Sequence, residues 1–201
     1  WWIDEQGLSA QKSSSEPPTV EVNVPLGYVP QTGPIVTAGP ILSATHSCFA
    51  AGTPVRTLTG LAPIESIRAG DRVLSQDGTT GKLNYPPVVA VFHNRPASTL
   101  KITLGDQTVV ATGIHRFWKA GQGWVMARDL KTGDVLRTLG GTAVVTAVEN
   151  DAVQPVFNLE VAEGHSFFVG SPGVLAHDNS LVRPVPAPFD AAPELAAAAT
   201  P

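Results

Sequence analysis

The chain has one cysteine, Cys48, in Ser47-Cys48-Phe49-Ala50-Ala51-Gly52-Thr53. A lone Cys is most often a small buried hydrophobe. It becomes a nucleophile when the fold brings a base or acid beside it. Five His are available for that: His46, His93, His115, His165 and His177. His115 closes Thr112-Gly113-Ile114-His115, just past the apolar run Thr108 to Ala111. A hydroxyl and an imidazole three residues apart can share one side of a turn. There they can hydrogen-bond a peptide carbonyl and protonate its leaving nitrogen. An ordinary surface turn is the plainer reading of the same four residues. A third stretch runs Gly173-Val174-Leu175-Ala176-His177-Asp178-Asn179-Ser180. An Asn or Asp side chain can attack its own backbone carbonyl and break the following peptide bond. A neighbouring His assists by polarising that carbonyl or protonating the leaving amine.

These residues need a scaffold, and the sequence between them reads as all-β. Short apolar runs recur at Thr53 to Leu58, Arg72 to Leu74, Val88 to Phe92, Leu100 to Leu104, Thr108 to Ala111, Val144 to Val148, Val156 to Val161 and Phe167 to Val169. Thr59-Gly60, Asp77-Gly78, Gly105-Asp106 and Gly140-Gly141 punctuate them. That pattern predicts many short strands. Pro63 to Ile67 and Met126 to Leu130 each predict a single helical turn. Ile67-Arg68-Ala69-Gly70-Asp71 is echoed by Leu130-Lys131-Thr132-Gly133-Asp134, with Val and Leu following both times. A two-copy repeat of that length implies two similar β halves related by a pseudo-twofold. Trp118 and Trp124 bracket a hairpin-like Gly121-Gln122-Gly123 and are expected to pack, while His46 and His93 are expected at the surface.

The ends differ from the middle. Residues 1–46 are rich in Pro and Ser and predict a linker or upstream segment, with one short strand at Val20, Val22 and Val24. Residues 180–201 predict a Pro/Ala-rich tail. The catalytic module is therefore expected over 47–179. The chain opens at Trp1-Trp2 and its single Met is internal, so it reads as part of a longer protein. Across 201 residues there are 19 Gly and 18 Pro, which argues against a mostly helical protein. A net charge of −4 gives no electrostatic case for nucleic acid. No apolar run approaches the length of a membrane span. One Cys excludes an internal disulfide. His165 and His177 have no partner Cys or clustered carboxylates, so no metal or other cofactor is expected.

Taken together, the stretch from Cys48 to Asn179 resembles a Hint domain, the module shared by hedgehog autoprocessing domains, inteins and bacterial intein-like proteins. Cys48-Phe49-Ala50-Ala51-Gly52-Thr53-Pro54-Val55 resembles the opening splicing block. Ala111-Thr112-Gly113-Ile114-His115-Arg116-Phe117-Trp118 resembles the block with the Thr-x-x-His pair. Val156 to Val161 with His165 to Val169 resembles the penultimate block, and Gly173 to Asn179 the last. The resemblance implies an all-β horseshoe with an internal pseudo-twofold. It implies that Cys48 attacks the Ser47 carbonyl in an N-to-S acyl shift, making a thioester. It further implies that Thr112 and His115 strain, orient and protonate that amide, and that His165 and His177 assist downstream cleavage. Such a domain acts once, in cis, and is not a turnover enzyme. Its partners are its own flanking segments, with an external thiol or water as acceptor.

Two positions depart from the splicing pattern. The penultimate block often carries Asp where Asn158 stands, and an amide is neither acid nor base. By the His177 register, Asp178 takes the place of the cyclising Asn, and Asn179 follows where an acceptor nucleophile would stand. A register shifted by one makes Asn179 the cyclising group and Ser180 the acceptor. Both departures weigh against full splicing, and cleavage at Ser47-Cys48 is the better supported activity. The rival reading is a Hint-fold β module without catalysis, serving as a structural or interaction unit in a larger bacterial protein. A papain-type peptidase fits poorly, because Phe49-Ala50-Ala51-Gly52 does not resemble its helix start. Export from a bacterial cell follows by analogy with Hint relatives in secreted bacterial proteins.

Overall fold

The computed structural model describes residues 46–191. The strand expected at Val20, Val22 and Val24 lies outside them. Thirteen strands and two 3-10 turns make up the described residues. The first strands are β1 (Phe49–Ala50), β2 (Pro54–Thr57) and β3 (Gly60–Pro63). Then come the short β4 (Ser75–Gln76) and β5 (Leu83–Asn84), the long β6 (Val88–Leu104) and β7 (Gln107–Thr112). β8 (Arg116–Lys119) and β9 (Gly123–Met126) form a hairpin, followed by β10 (Val135–Thr138) and the 21-residue β11 (Gly141–Val161). β12 (Ser166–Val169) and β13 (Val174–His177) end the set. Eleven strands share one hydrogen-bonded network, and β4 and β5 pair separately. The all-β horseshoe expected from the sequence is the fold observed.

The Gly-Asp echo is a structural repeat. The β2–β3 hairpin runs straight into a 3-10 turn at Ile64–Ser66, and the β8–β9 hairpin into one at Ala127–Asp129. After each turn the chain bends at a glycine with φ +94° (Gly70) or +93° (Gly133), where a side chain would be strained. The Asp71 carboxylate accepts from the Arg68 N–H at 2.8 Å, and that of Asp134 from the Lys131 N–H at 2.9 Å. Gly70 N–H donates to the Val88 carbonyl, and Gly133 N–H to that of Val145, both at 2.8 Å. The two halves therefore share one turn chemistry, as a pseudo-twofold requires.

The runs read as separate short strands at 88–92 and 100–104 are one strand, β6, and those at 144–148 and 156–161 are one strand, β11. Their antiparallel ribbon is interrupted by register shifts between Asn150 and Val153 and between Gln154 and Val156. Around these bulges both faces are exposed, so alternation disappears from the sequence although pairing continues. Pro96 is tolerated because β7 pairs with β6 only over Thr99–Leu104. The main core gathers Phe49, Val55, Ile102, Phe117, Leu136, Leu159 and Phe167, all buried. A second cluster surrounds the buried Trp118 with Leu74, Phe168 and Leu175, and Trp124 packs edge-on against it. Val185 and Phe189, beyond residue 180, join this cluster, so this part of the Pro-rich tail lies against the domain.

Candidate active site

β1 enters the sheet between β7 and β11, with Phe49 opposite both Ala111 and Phe157. That places the Ser47–Cys48 peptide beside Thr112 at the end of β7 and Asn158 in β11. The peptide is held at both poles. The Cys48 N–H donates to Thr112 Oγ1 at 3.0 Å, and the Thr112 hydroxyl donates onward to the His46 carbonyl at 2.8 Å. The Ser47 carbonyl accepts from Asn158 Nδ2 at 2.6 Å. Asn158 is fully buried, and its Oδ1 accepts from the Leu159 N–H at 2.8 Å. A flipped amide would set oxygen against oxygen at Ser47 and N–H against N–H at Leu159, so the donor direction is fixed.

The Cys48 side chain is buried, and Asn94 Nδ2 donates to its sulfur at 3.1 Å. Burial pushes the thiol up to about 11, and the Asn94 hydrogen bond offsets part of that rise. His115 lies in the core, its Nδ1 2.8 Å from Ser47 Oγ and its ring against Phe49. Nε2 is buried and has no hydrogen-bond partner. Burial first, and then repulsion from His177 and Arg116 when these are charged, push His115 down to about 3. The upstream junction is thus an uncharged site at neutral pH, built from a thiol, two amides, a hydroxyl and a neutral imidazole.

The downstream end has a different character. The Asp178–Asn179 peptide is also held at both poles: His177 Nδ1–H donates to the Asp178 carbonyl at 3.0 Å, and the Asn179 N–H donates to the Leu159 carbonyl at 2.8 Å. The Asp178 carboxylate is buried but well supplied with donors. Oδ2 accepts from the Val161 N–H at 2.8 Å and stands 3.3 Å from His165 Nδ1, while Oδ1 accepts from the Ser180 N–H at 2.8 Å and from its hydroxyl. His165 has φ +49°, a conformation unusual for a non-glycine residue, and its carbonyl accepts the Asp178 N–H. Its side chain is 46% exposed, whereas that of His177 is nearly buried and packs edge-on against Trp124. Burial lowers His177, with partial compensation from the Asp178 backbone and carboxylate.

Each residue singled out from the sequence lies at one of these two junctions: Cys48, Thr112 and His115 upstream, and His165, His177, Asp178 and Asn179 downstream. Sequence reasoning undervalued Asn158 and missed Asn94. The first was legible as a residue type but not as a donor to a carbonyl 111 positions away. The second lies in an exposed-looking His93-Asn94-Arg95-Pro96 run with no spacing signal. One strand serves both junctions, since Asn158 contacts Ser47 and Leu159 contacts Asn179.

The buried neutral histidines carry a stability cost in acid. Unfolded His115 titrates near 6.5 and folded His115 near 3, so between these values the unfolded chain binds more protons. Stability is then present above pH 6.5 and lost as pH falls, at about 1.4 kcal/mol per pH unit for this group. His177 adds to the loss in the same direction. Melting temperatures measured from pH 7 to pH 4 are expected to fall steadily. A flat profile would contradict a buried neutral His115.

An all-β horseshoe with a pseudo-twofold is the fold of autoprocessing domains of the Hint and intein type. A family model described as the Pretoxin HINT domain matches residues 54–179, and the chain belongs to that family. Cys48 lies just upstream of the matched residues. The solution structure of a bacterial intein-like domain from Clostridium thermocellum is 32% identical with a TM-score of 0.62, covering 65% of this chain and 98% of that one. The crystal structure of the gp41-1 intein is 26% identical with a TM-score of 0.56, covering 66% and 98%. The DnaB intein of Synechocystis sp. PCC 6803, 18% identical with a TM-score of 0.60 over 67% and 99%, shares the fold. A comparison with curated proteins finds no match.

Proposed function

We propose that this domain cleaves its own backbone at Ser47–Cys48 through an N-to-S acyl shift. The observation that carries the reading is the clamp on that peptide: Asn158 on the carbonyl oxygen, Thr112 on the nitrogen and Cys48 next in the chain. The sulfur attacks the Ser47 carbonyl carbon, and charge develops on an oxygen that already has a buried amide donor. The C–N bond breaks, the Ser47 acyl group stays on sulfur as a thioester, and the thiol proton ends on the Cys48 nitrogen. His115 suits the delivery half of that transfer: an imidazolium with so low a pKa gives its proton up readily, while the neutral ring is too weak a base to take the proton from the thiol. An external thiol or water then takes the acyl group. Asn94 supplies the hydrogen bond that favours the thiolate.

Intact mass with and without added thiol tests the reading. At saturating thiol the rate of the Ser47–Cys48 cut is expected to climb about tenfold per pH unit through neutrality. It should level only near the Cys48 value of about 11. No inflection is expected near pH 6.5, because His115 does not titrate there. An unchanged mass at every pH supports the non-catalytic β module instead.

Downstream, the reading is slow cleavage after Asp178 without joining of the flanks. Asp178 closes on its own carbonyl only through a carboxyl oxygen, giving an anhydride as the Asn179 nitrogen leaves with a proton. His177 already donates to that carbonyl. Burial lowers its pKa, so the charged form, and with it the rate, increases only as pH falls below the usual His range. The donors locking the Asp178 carboxylate account for slowness. Asp178→Asn is expected to speed the step and move its optimum upward. The new N-terminus of the released tail is diagnostic. Asn179 there supports this register, Ser180 makes Asn179 the cyclising residue, and a ligated product overturns the loss of splicing. The family's name, pretoxin, fits a precursor that sheds a segment.

A further inference from the structure

The last described residues fold back onto the domain at a place remote in sequence from either junction. The Phe189 ring stacks on Trp118 at 5.4 Å and 25°. The Arg137 guanidinium lies over the Phe189 ring, 5.5 Å from its centroid. The Phe189 N–H donates to the Gly78 carbonyl at 3.1 Å. Trp118 Nε1–H is shared between the two Asp190 carboxylate oxygens at 3.0 and 3.2 Å. The receiving surface is shaped for this. A Cβ at Gly78 would stand 2.7 Å from the Trp118 ring, and one at Gly81 would stand 2.8 Å from the Phe189 ring. Arg137 is held by its own hydrogen bonds, donating to Gln76 Oε1 at 3.0 Å and to the Gly141 carbonyl at 3.2 Å.

We propose that this slot is a peptide-binding site for the domain's own downstream segment, recognising an aromatic residue followed by a carboxylate. Stacking and cation–π contact select the ring, and the buried indole N–H selects the acid. The slot grips the chain eleven residues beyond Asp178 and touches the downstream junction through Trp124, which is edge-on to both Trp118 and His177. Cutting the backbone therefore does not by itself free the tail. That consequence rests on the downstream cleavage proposed above, but the slot does not.

The test makes the cut with an added protease, so its outcome is independent of self-cleavage. A recognition sequence for a site-specific protease is inserted in the full-length chain between Leu181, which is 89% exposed, and Val182. The indole N–H resonance of Trp118 is followed by NMR. It is expected to keep its position after nicking, and to move in Phe189→Ala and in Asp190→Asn. A synthetic 182–191 peptide added to the nicked Phe189→Ala chain should return it, and the same peptide with Ala at 189 should bind roughly ten- to a hundredfold more weakly. A nicked wild-type chain whose resonance coincides with that of Phe189→Ala overturns the proposal, because the tail then stays only while it is tethered. An intact chain that already matches Phe189→Ala overturns it as well.

Discussion

Incubated with excess thiol, the Cys48→Ala chain is expected to keep its full mass while the parent divides into residues 1–47 and 48–201. The loss should be complete within detection, because Cys48 is the only cysteine. No other nucleophile is placed beside the clamped Ser47 carbonyl among the described hydrogen bonds. The substitution is mild for the fold. It removes one sulfur from a buried position and leaves Asn94 without its acceptor, a cost of about 1–3 kcal/mol. A melting curve alongside the mass spectrum separates lost chemistry from lost structure. Thiol-dependent cleavage persisting in Cys48→Ala would remove Cys48 from the mechanism.

The second large effect is expected at Asn158, where an amide stands in place of the Asp common in related blocks. Asn158→Ala removes a preorganised donor from the oxygen that gains charge, and the thiol-induced rate should fall about a hundred- to a thousandfold. It also strips the Leu159 N–H of its acceptor, so a smaller melting temperature accompanies it. Asn158→Asp separates the two roles. A carboxylate still accepts from Leu159 but, once ionised, has no proton to offer Ser47. Its rate should be low and nearly flat across neutral pH, because each gain in thiolate is offset by loss of the carboxyl proton, whereas the parent's rate rises steeply with pH. A purely structural Asn158 would leave the parent's steep rise with pH unchanged.

The contrast between Asn158 and the Gly-Asp echo shows what the sequence makes legible. Gly70 and Gly133 are readable because a φ near +90° and an adjacent carboxylate cap are local demands, met by residue types a few positions apart. The turns at 64–66 and 127–129 are readable for the same reason. The β6–β11 ribbon is not, because its exposed middle carries no alternation and its bulges shift the register. At the site, Cys48, Thr112, His115 and His177 stand out by type and spacing. Asn94 and Asn158 act through contacts 46 and 111 residues long, and Asn is common in turns and strand ends. The slot for Phe189 was hidden by composition: a Pro-rich tail suggests an unattached one, and only the glycines at 78 and 81 leave room for the stack.

The burial of Cys48 has a consequence for the lifetime of the precursor. Alkylating agents, peroxide and disulfides all react with thiolates, and at neutral pH a thiol with a pKa near 11 is ionised to only about one part in ten thousand. It is also shielded from solvent. The electrophile it meets continuously is the peptide carbonyl to which it is covalently joined. Confinement thus replaces reactivity as the source of selectivity. If the cleavage proposed above is its chemistry, the uncut chain keeps its nucleophile intact through an oxidising environment for the bond next door.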